Sequence, residues 1–111
     1  MSSSPGYKKK TVEINQRKFL VQVLTFENGN FISITEGTEK IGAMVVSIGY
    51  GPTPSTAIII PTKSQSLFLK MISERIASVV KGICIASVNT QKDLEPNITK
   101  LLLKTIMEIV H

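Results

Sequence analysis

The residues with the greatest chemical reactivity in this chain are Cys84 and His111, each the only one of its type among 111 residues. Cys84 lies in an apolar run, and its sequence neighbours supply no positive charge that would create a nucleophilic thiolate. We therefore predict that Cys84 is a core residue. His111 is the terminal residue, where a chain frays, so a histidine-based catalytic triad is not expected.

The acidic residues, the other candidates for chemistry, show no metal-binding pattern. The chain has eight of them, and most fall at the ends of predicted elements or on the polar side of a helix. One cysteine and one histidine would need several of these carboxylates to complete a zinc site, and none stands at ligand spacing. We predict neither a bound metal nor a cofactor.

Two glycine patterns resemble phosphate-binding loops, and both fail on context. Gly37 and Gly42 have P-loop spacing, but alanine and methionine follow where lysine and serine or threonine are required. Gly49 and Gly51 lead through prolines into a strand, whereas a dinucleotide-binding loop opens a helix. An enzyme would need a reactive group placed by tertiary structure near Tyr50, in the same irregular loop. We therefore predict that the protein is not an enzyme.

Positive charge is concentrated near the N-terminus, where Lys8, Lys9 and Lys10 contribute three of the thirteen basic residues. We predict a disordered basic leader over residues 1–10, and we regard these lysines and Tyr50 as candidate partner-binding residues. A small dimeric nucleic-acid-binding protein with one such arm per copy is the alternative function. It is not favoured, because the chain has only four phenylalanines and two tyrosines, which make a poor stacking platform.

The length and composition predict one folded domain, over residues 11–111. The chain is 42% hydrophobic and 19% charged, which is too apolar for a disordered protein. No apolar run reaches the ~20 residues needed to span a bilayer, and the first residues lack the apolar core of a signal peptide. We expect a cytoplasmic protein without a membrane partner, and the single cysteine fits a reducing compartment.

Segments of alternating apolar residues, many of them β-branched, predict six strands. These strands are residues 11–15, 18–27, 30–36, 43–48, 57–60 and 83–89. Asn28 and Gly29 tolerate positive φ and predict a tight hairpin turn between the second and third strands.

A helical period over residues 64–81 predicts the first helix. Thr62 and Gln65 match a capping box, and Gly82 is expected to end this helix in a left-handed conformation. A second helix begins behind Asp93 as its N-cap and runs to the C-terminus. The predicted fold class is α+β, with about six mainly antiparallel strands, in a sheet or a curled sandwich, and two helices in the order β-β-β-β-β-α-β-α.

The second helix is apolar over more of its circumference than contact with one sheet requires. Its apolar arc covers roughly 240°, against the ~100° of a surface helix. Leu103, Met107 and Val110 form a stripe on the side that the sheet would not reach, and we predict this stripe as the interface of a symmetric dimer. The second strand is also apolar on both faces, which a sheet that curls on itself would explain without a dimer.

From Lys40 to Val45 the chain has a lysine, an apolar residue, a glycine, a small residue, an apolar residue and a valine, which lead into a strand. Residues 68–88 are predicted as a helix that leads into a strand rich in small residues. In these segments, and in its order of elements over residues 11–110, the chain resembles the family of the third and fourth proteasome assembly chaperones.

The resemblance implies a small α+β protein that pairs with itself or with a relative, as a homodimer or a heterodimer. It also implies that the protein helps α-subunits of the 20S proteasome to assemble into a ring, without nucleotide or metal. Some other proteasome chaperones dock through a C-terminal tail that contains tyrosine. This chain ends in Ile109, Val110 and His111, so docking by such a tail is not expected.

Overall fold

The segments with alternating apolar residues pair into one six-stranded sheet, and the two segments with a helical period form helices. The computed structural model describes residues 6–62 and 66–110. In chain order the elements are β1 (Tyr7–Ile14), β2 (Arg17–Phe26), β3 (Gly29–Thr35), β4 (Ala43–Ile48), β5 (Ser55–Ile60), α1 (Ser66–Val80), β6 (Ile83–Asn89) and α2 (Pro96–Val110). The predicted α+β fold class and order of elements are confirmed.

The strand order across the sheet is β1-β2-β3-β6-β4-β5. Neighbouring strands are antiparallel except β3 and β6, which are parallel. The parallel pair follows from the path of the chain. The β3–β4 connection crosses the end of β6, and α1 carries the chain from the edge strand β5 back to the centre of the sheet. The last strand therefore fills the space between β3 and β4.

Both helices pack on the same side of the sheet, which we call the covered face. α1 contacts β4 and β6, whereas α2 contacts β2 and β1. Each helix presents an apolar stripe, and alternate residues of the strands meet it. The largest fully buried side chains are Phe19, Val21, Val23, Ile32, Ile34, Val45, Leu69, Ile72, Ile76, Ile98, Leu102 and Ile106. The opposite side of the sheet is called the open face.

The N-terminal part of the chain is more ordered than the sequence predicted. β1 begins at Tyr7, so Lys8, Lys9 and Lys10 belong to a strand rather than to a disordered leader. Pairing with β2 satisfies backbone hydrogen-bonding groups of this segment. The charged lysine side chains are compatible with the strand, because β1 lies at the edge of the sheet and leaves them in solvent. The part of the predicted leader over residues 1–5 lies outside the described residues.

The predicted helix ends require correction. α2 begins at Pro96 rather than directly behind Asp93, since proline suits the first helical position, where no amide donor is needed. At the end of α1 the left-handed residue is Lys81, with φ 53°, and not Gly82. Gly82 is required for a different reason, because a Cβ there would lie 2.4 Å from the carbonyl oxygen of Asn28. Gln65 of the predicted capping box lies outside the described residues.

The hairpin between β2 and β3 turns one residue earlier than predicted. Its turn residues are Glu27 and Asn28, and Phe26 pairs with Gly29. The prediction of positive φ at this turn was wrong; in the sheet, two successive residues adopt it instead in the β1–β2 turn, at Asn15 and Gln16. Neither of the two described helices is long and apolar enough to cross a membrane.

Candidate protein-binding surface

The open face of the sheet is largely apolar, although no described helix lies on it. Its apolar side chains are Leu20, Leu24, Phe26, Phe31, Met44, Val46, Ile48, Ile83 and Ile85, as the strand register shows. Phe26 is 52% exposed and Leu24 is 41% exposed. Soluble monomers rarely leave a continuous apolar patch in contact with water, so this face is the leading candidate for a protein-binding surface.

Two depressions lie on the open face on either side of Phe31. The first has a volume of about 320 Å³ and is lined by Phe26, Asn28, Gly29, Asn30, Phe31, Ile83 and Ile85. The second has a volume of about 260 Å³ and is lined by Tyr7, Gln22, Leu24, Phe31, Ser33, Glu39, Lys40 and Ile41. The first is mainly apolar, whereas Glu39 and Lys40 give the second a charged rim. An apolar centre with a polar rim is typical of protein interfaces.

The size of the open face suits a stable interface. With strands ~4.8 Å apart and a rise of ~3.3 Å per residue, a six-stranded sheet of this length presents a flat area on the order of 500 Å². Side-chain relief raises the accessible area above that value, towards the ~800 Å² per partner of a standard interface. The face is therefore large enough to hold a folded partner.

At two positions the backbone passes so close to β6 that only glycine, which has no side chain, fits. A Cβ at Gly29 would lie 2.1 Å from the carbonyl oxygen of Ile83, and one at Gly42 would lie 2.2 Å from that of Val88. The backbone N–H of Gly42 also donates to the Ser87 hydroxyl, at 3.1 Å. Gly42 belongs to the segment from Lys40 to Val45. The glycine of this segment therefore allows the β3–β4 connection to cross closely over β6.

The predicted interface stripe on α2 is partly used inside the protomer. Leu103, Met107 and Val110 are half-buried and pack against the core cluster. They therefore offer less free apolar surface than the open face does. The stripe stays a prediction, with the open face as a competing surface for the same role.

The three lysines near the N-terminus do not form one arm. Lys8 Nζ donates to the carbonyl oxygen of Ile109 at 3.2 Å, and Lys10 Nζ lies 3.9 Å from a carboxylate oxygen of Glu108. Positive charge at a helix C-terminus is favourable, because unpaired carbonyl groups point outward there. Lys9 pairs with Gln22 and so lies on the other side of the strand. This arrangement does not favour the nucleic-acid-binding alternative.

Tyr50 lies in the loop between β4 and β5 and is 60% exposed. The backbone beside it is held against α1, where a Cβ at Gly49 would lie 2.2 Å from the Ala77 carbonyl oxygen. The depressions of the open face are lined by other residues. β5 and β1 are the two opposite edges of the sheet, so the structure does not bring Tyr50 together with the lysines.

An ion pair that the sequence did not predict lies within the covered face. Arg17 and Glu36 are 7% and 6% exposed, and Arg17 donates from Nε at 2.8 Å and from Nη2 at 2.6 Å to the two carboxylate oxygens. The Arg17 guanidinium, which lies over the Phe19 ring, lowers the pKa of Glu36 through these hydrogen bonds.

The same ion pair holds the connection that leads from β6 into α2. Arg17 also donates to the carbonyl oxygens of Asp93, at 2.9 Å, and Lys92, at 3.1 Å, and the backbone N–H of Gln91 donates to Glu36 at 3.0 Å. Three of these groups come from the β6–α2 connection, and Glu36 directly follows β3. The pair is a structural clamp, since its donors and acceptors are satisfied within the protein.

A chain of hydroxyl groups joins β4, β5 and α1 without the features of a catalytic site. Ser47 Oγ lies 2.6 Å from Ser73 Oγ and 2.8 Å from Thr56 Oγ1, and Thr56 in turn donates to Glu74. Ser47 and Ser73 are fully buried. A serine nucleophile needs an accessible oxygen and a base, so this network serves to attach α1 to the sheet.

Cys84 is a fully buried core residue, as predicted. Burial raises its pKa to about 12, so the thiol stays protonated and inert at neutral pH. Among residues 6–62 and 66–110, no group of three histidine, cysteine, aspartate or glutamate side chains is placed to hold a metal ion.

The fold defines an α+β protein with a helix-covered sheet and one apolar open face. No family model matches the sequence, and no curated protein matches it. The structure is similar to that of a chain in a chaperone complex for yeast 20S proteasome assembly, with a TM-score of 0.73 and 11% sequence identity. The match covers 95% of this chain and 94% of that chain. At this identity the similarity shows that the two chains share a fold.

Proposed function

We propose that this protein is a non-enzymatic, protein-binding assembly chaperone that acts as a dimer and promotes assembly of the 20S proteasome α-ring. The observation that carries the proposal is the similarity of fold, over nearly the whole chain, to a component of a proteasome assembly chaperone complex. The sequence resemblance around Lys40 to Val45 supports the same conclusion. Fold alone does not determine function, so the surfaces of this chain provide the second line of support.

The open face supports a dimer. A sheet whose second side carries Leu24, Phe26, Phe31 and Ile85 loses apolar contact with water when that side packs against another sheet. A second copy, or a relative with the same fold, brings a face of matching size and apolar character. We therefore propose face-to-face packing of two open faces, with the helices on the outside of the dimer. The stripe of Leu103, Met107 and Val110 is the competing interface.

Co-expression with the proteasome α-subunits of the same organism tests the proposed function. The chaperone should co-elute with at least one α-subunit on size exclusion, and it should change the yield of α-rings. Val79→Glu, at a 46% exposed residue on α1 and so away from the open face, is a control that alters charge and should leave co-elution unchanged. Absence of co-elution together with unchanged ring formation would contradict the proposal.

A further inference from the structure

The two edges of the sheet differ in how well they are protected from pairing with another chain. β1, at one edge, carries Lys8, Lys9 and Lys10, and charged side chains of this kind discourage strand addition. β5, at the other edge, has the sequence Ser-Thr-Ala-Ile-Ile-Ile, without charge or proline. Ile58 and Ile59 are 60% and 55% exposed. Within the described residues, β5 pairs only with β4, so one side of its backbone is available.

Only the first part of β5 is regular. The pairing register shifts between Met44 and Val45 of β4, which leaves Ile59 as an extra residue in β5. Such a bulge interrupts the hydrogen-bond ladder and bends the strand. An added strand would therefore lie along residues 55–58.

A groove runs beside this edge, between β5 and α1. Its volume is about 250 Å³, and its lining residues are Val45, Thr56, Ile58, Leu67 and Lys70. Leu67 is 78% exposed, which makes it the most exposed large apolar side chain among the described residues. The Thr56 hydroxyl already donates its hydrogen to Glu74. Among the lining residues, Lys70 is therefore the one that offers a charged group to a ligand.

We propose that β5 and this groove bind an extended apolar segment of a partner protein, which adds to the sheet as a further strand. Backbone groups of residues 55–58 would supply the hydrogen bonds, and every second side chain of the segment would enter the groove. The segment carries an acidic residue that faces Lys70.

The small size of this site favours a segment of a partner over a second copy. The regular stretch covers residues 55–58 and the groove holds only about 250 Å³. A stable dimer buries roughly 800 Å² on each partner, which this edge does not offer. Strand addition needs less area, because main-chain hydrogen bonds supply much of the affinity. The inference goes beyond the proposed function and does not depend on the open face.

Binding of a fluorescein-labelled peptide to the full chain tests the inference. The peptide alternates valine with threonine and carries one terminal glutamate, and its fluorescence anisotropy should rise on binding. Ile58→Lys and Leu67→Lys should each weaken binding about tenfold or more, because either lysine places a charge where an apolar side chain must enter. Val79→Lys puts the same charge on an exposed apolar position at the other end of α1 and should leave binding unchanged.

Methylation of the peptide's backbone nitrogens tests strand addition on the unmodified protein. Methyl groups on the amides that face β5 should abolish binding, and methyl groups on the alternate amides should not. The inference is overturned if the peptide does not bind, if the Ile58→Lys variant binds it equally well, or if methylation has no effect. If Ile58→Lys converts a dimer to a monomer, β5 is a self-association surface instead. The peptide measurements do not involve α-subunits. Failure to co-elute with α-subunits would therefore contradict the proposed function without changing the result at β5.

Discussion

The two faces of the sheet contain similar apolar side chains with different tasks. In β2, Val21 and Val23 are fully buried under the helices, whereas Leu24 points to the opposite face and is 41% exposed. The covered face stabilises the protomer, because burial removes its apolar area from water. The open face leaves the same kind of area in contact with water, and we propose it as a protein-binding surface. Alternation along one strand can therefore encode a core on one side and a binding surface on the other.

The largest effect on stability is expected from the structural clamp formed by Arg17 and Glu36. Arg17→Met leaves the buried Glu36 carboxylate without its cation, and removal of one partner of a buried pair costs about 3–5 kcal/mol. Denaturant unfolding at neutral pH measures this loss. The double variant Arg17→Met with Glu36→Gln should recover part of it, because no unpaired charge is then buried.

The clamp also predicts a dependence on pH. Arg17 lowers the pKa of Glu36 below its unfolded value, so the stability that this carboxylate contributes is present above the unfolded pKa. It is lost as the pH falls through the lowered pKa of the folded state. The difference in unfolding free energy between wild type and Arg17→Met should therefore shrink towards acidic pH. A difference that stays constant between neutral and acidic pH would show that charge pairing is not the cause.

A pair of substitutions on opposite faces compares the two surfaces directly. Ile32→Ala, on the covered face, should lower the free energy of unfolding by about 2–5 kcal/mol, because it leaves a cavity in the core. Leu24→Ala, on the open face, should cost less than about 1 kcal/mol when the protein is diluted to monomer. Unfolding curves at low protein concentration measure both values. Equal losses would mean that the open face is covered within the protomer.

The bounds of some strands could be predicted from the sequence, whereas the buried ion pair and the open face could not. Local periodicity placed β4 and β6 at their observed bounds, because side-chain alternation is written in neighbouring residues. The Arg17–Glu36 pair joins residues 19 apart, and only the register of β2 against β3 and the path to α2 bring them together. The open face is also a tertiary property, since it exists only because both helices pack on one side.

A smaller loss of stability is expected from the stripe on α2. Leu103 and Met107 are half-buried against the core, so Leu103→Glu with Met107→Glu should lower the unfolding free energy by about 1–3 kcal/mol. The folded fraction should keep its association state if the open face forms the dimer. Sedimentation with circular dichroism separates the cases. A folded monomer would instead establish the stripe of Leu103, Met107 and Val110 as the interface.

The smallest effect on the protomer, and the largest on association, is expected from charge on the open face. Leu24→Glu with Phe26→Glu places two carboxylates on exposed positions of the open face in each copy, and a two-fold interface brings four of them together. The side chains can reach water in the monomer, so its unfolding free energy should change by no more than about 1 kcal/mol. In the proposed dimer they would be buried without partners, which should favour dissociation. Sedimentation should show a folded monomer at concentrations where the wild type is a dimer, whereas the matched control Val79→Glu, on the exposed side of α1, should stay dimeric. A double variant that keeps both its fold and its dimeric state would exclude the open face as the dimer interface.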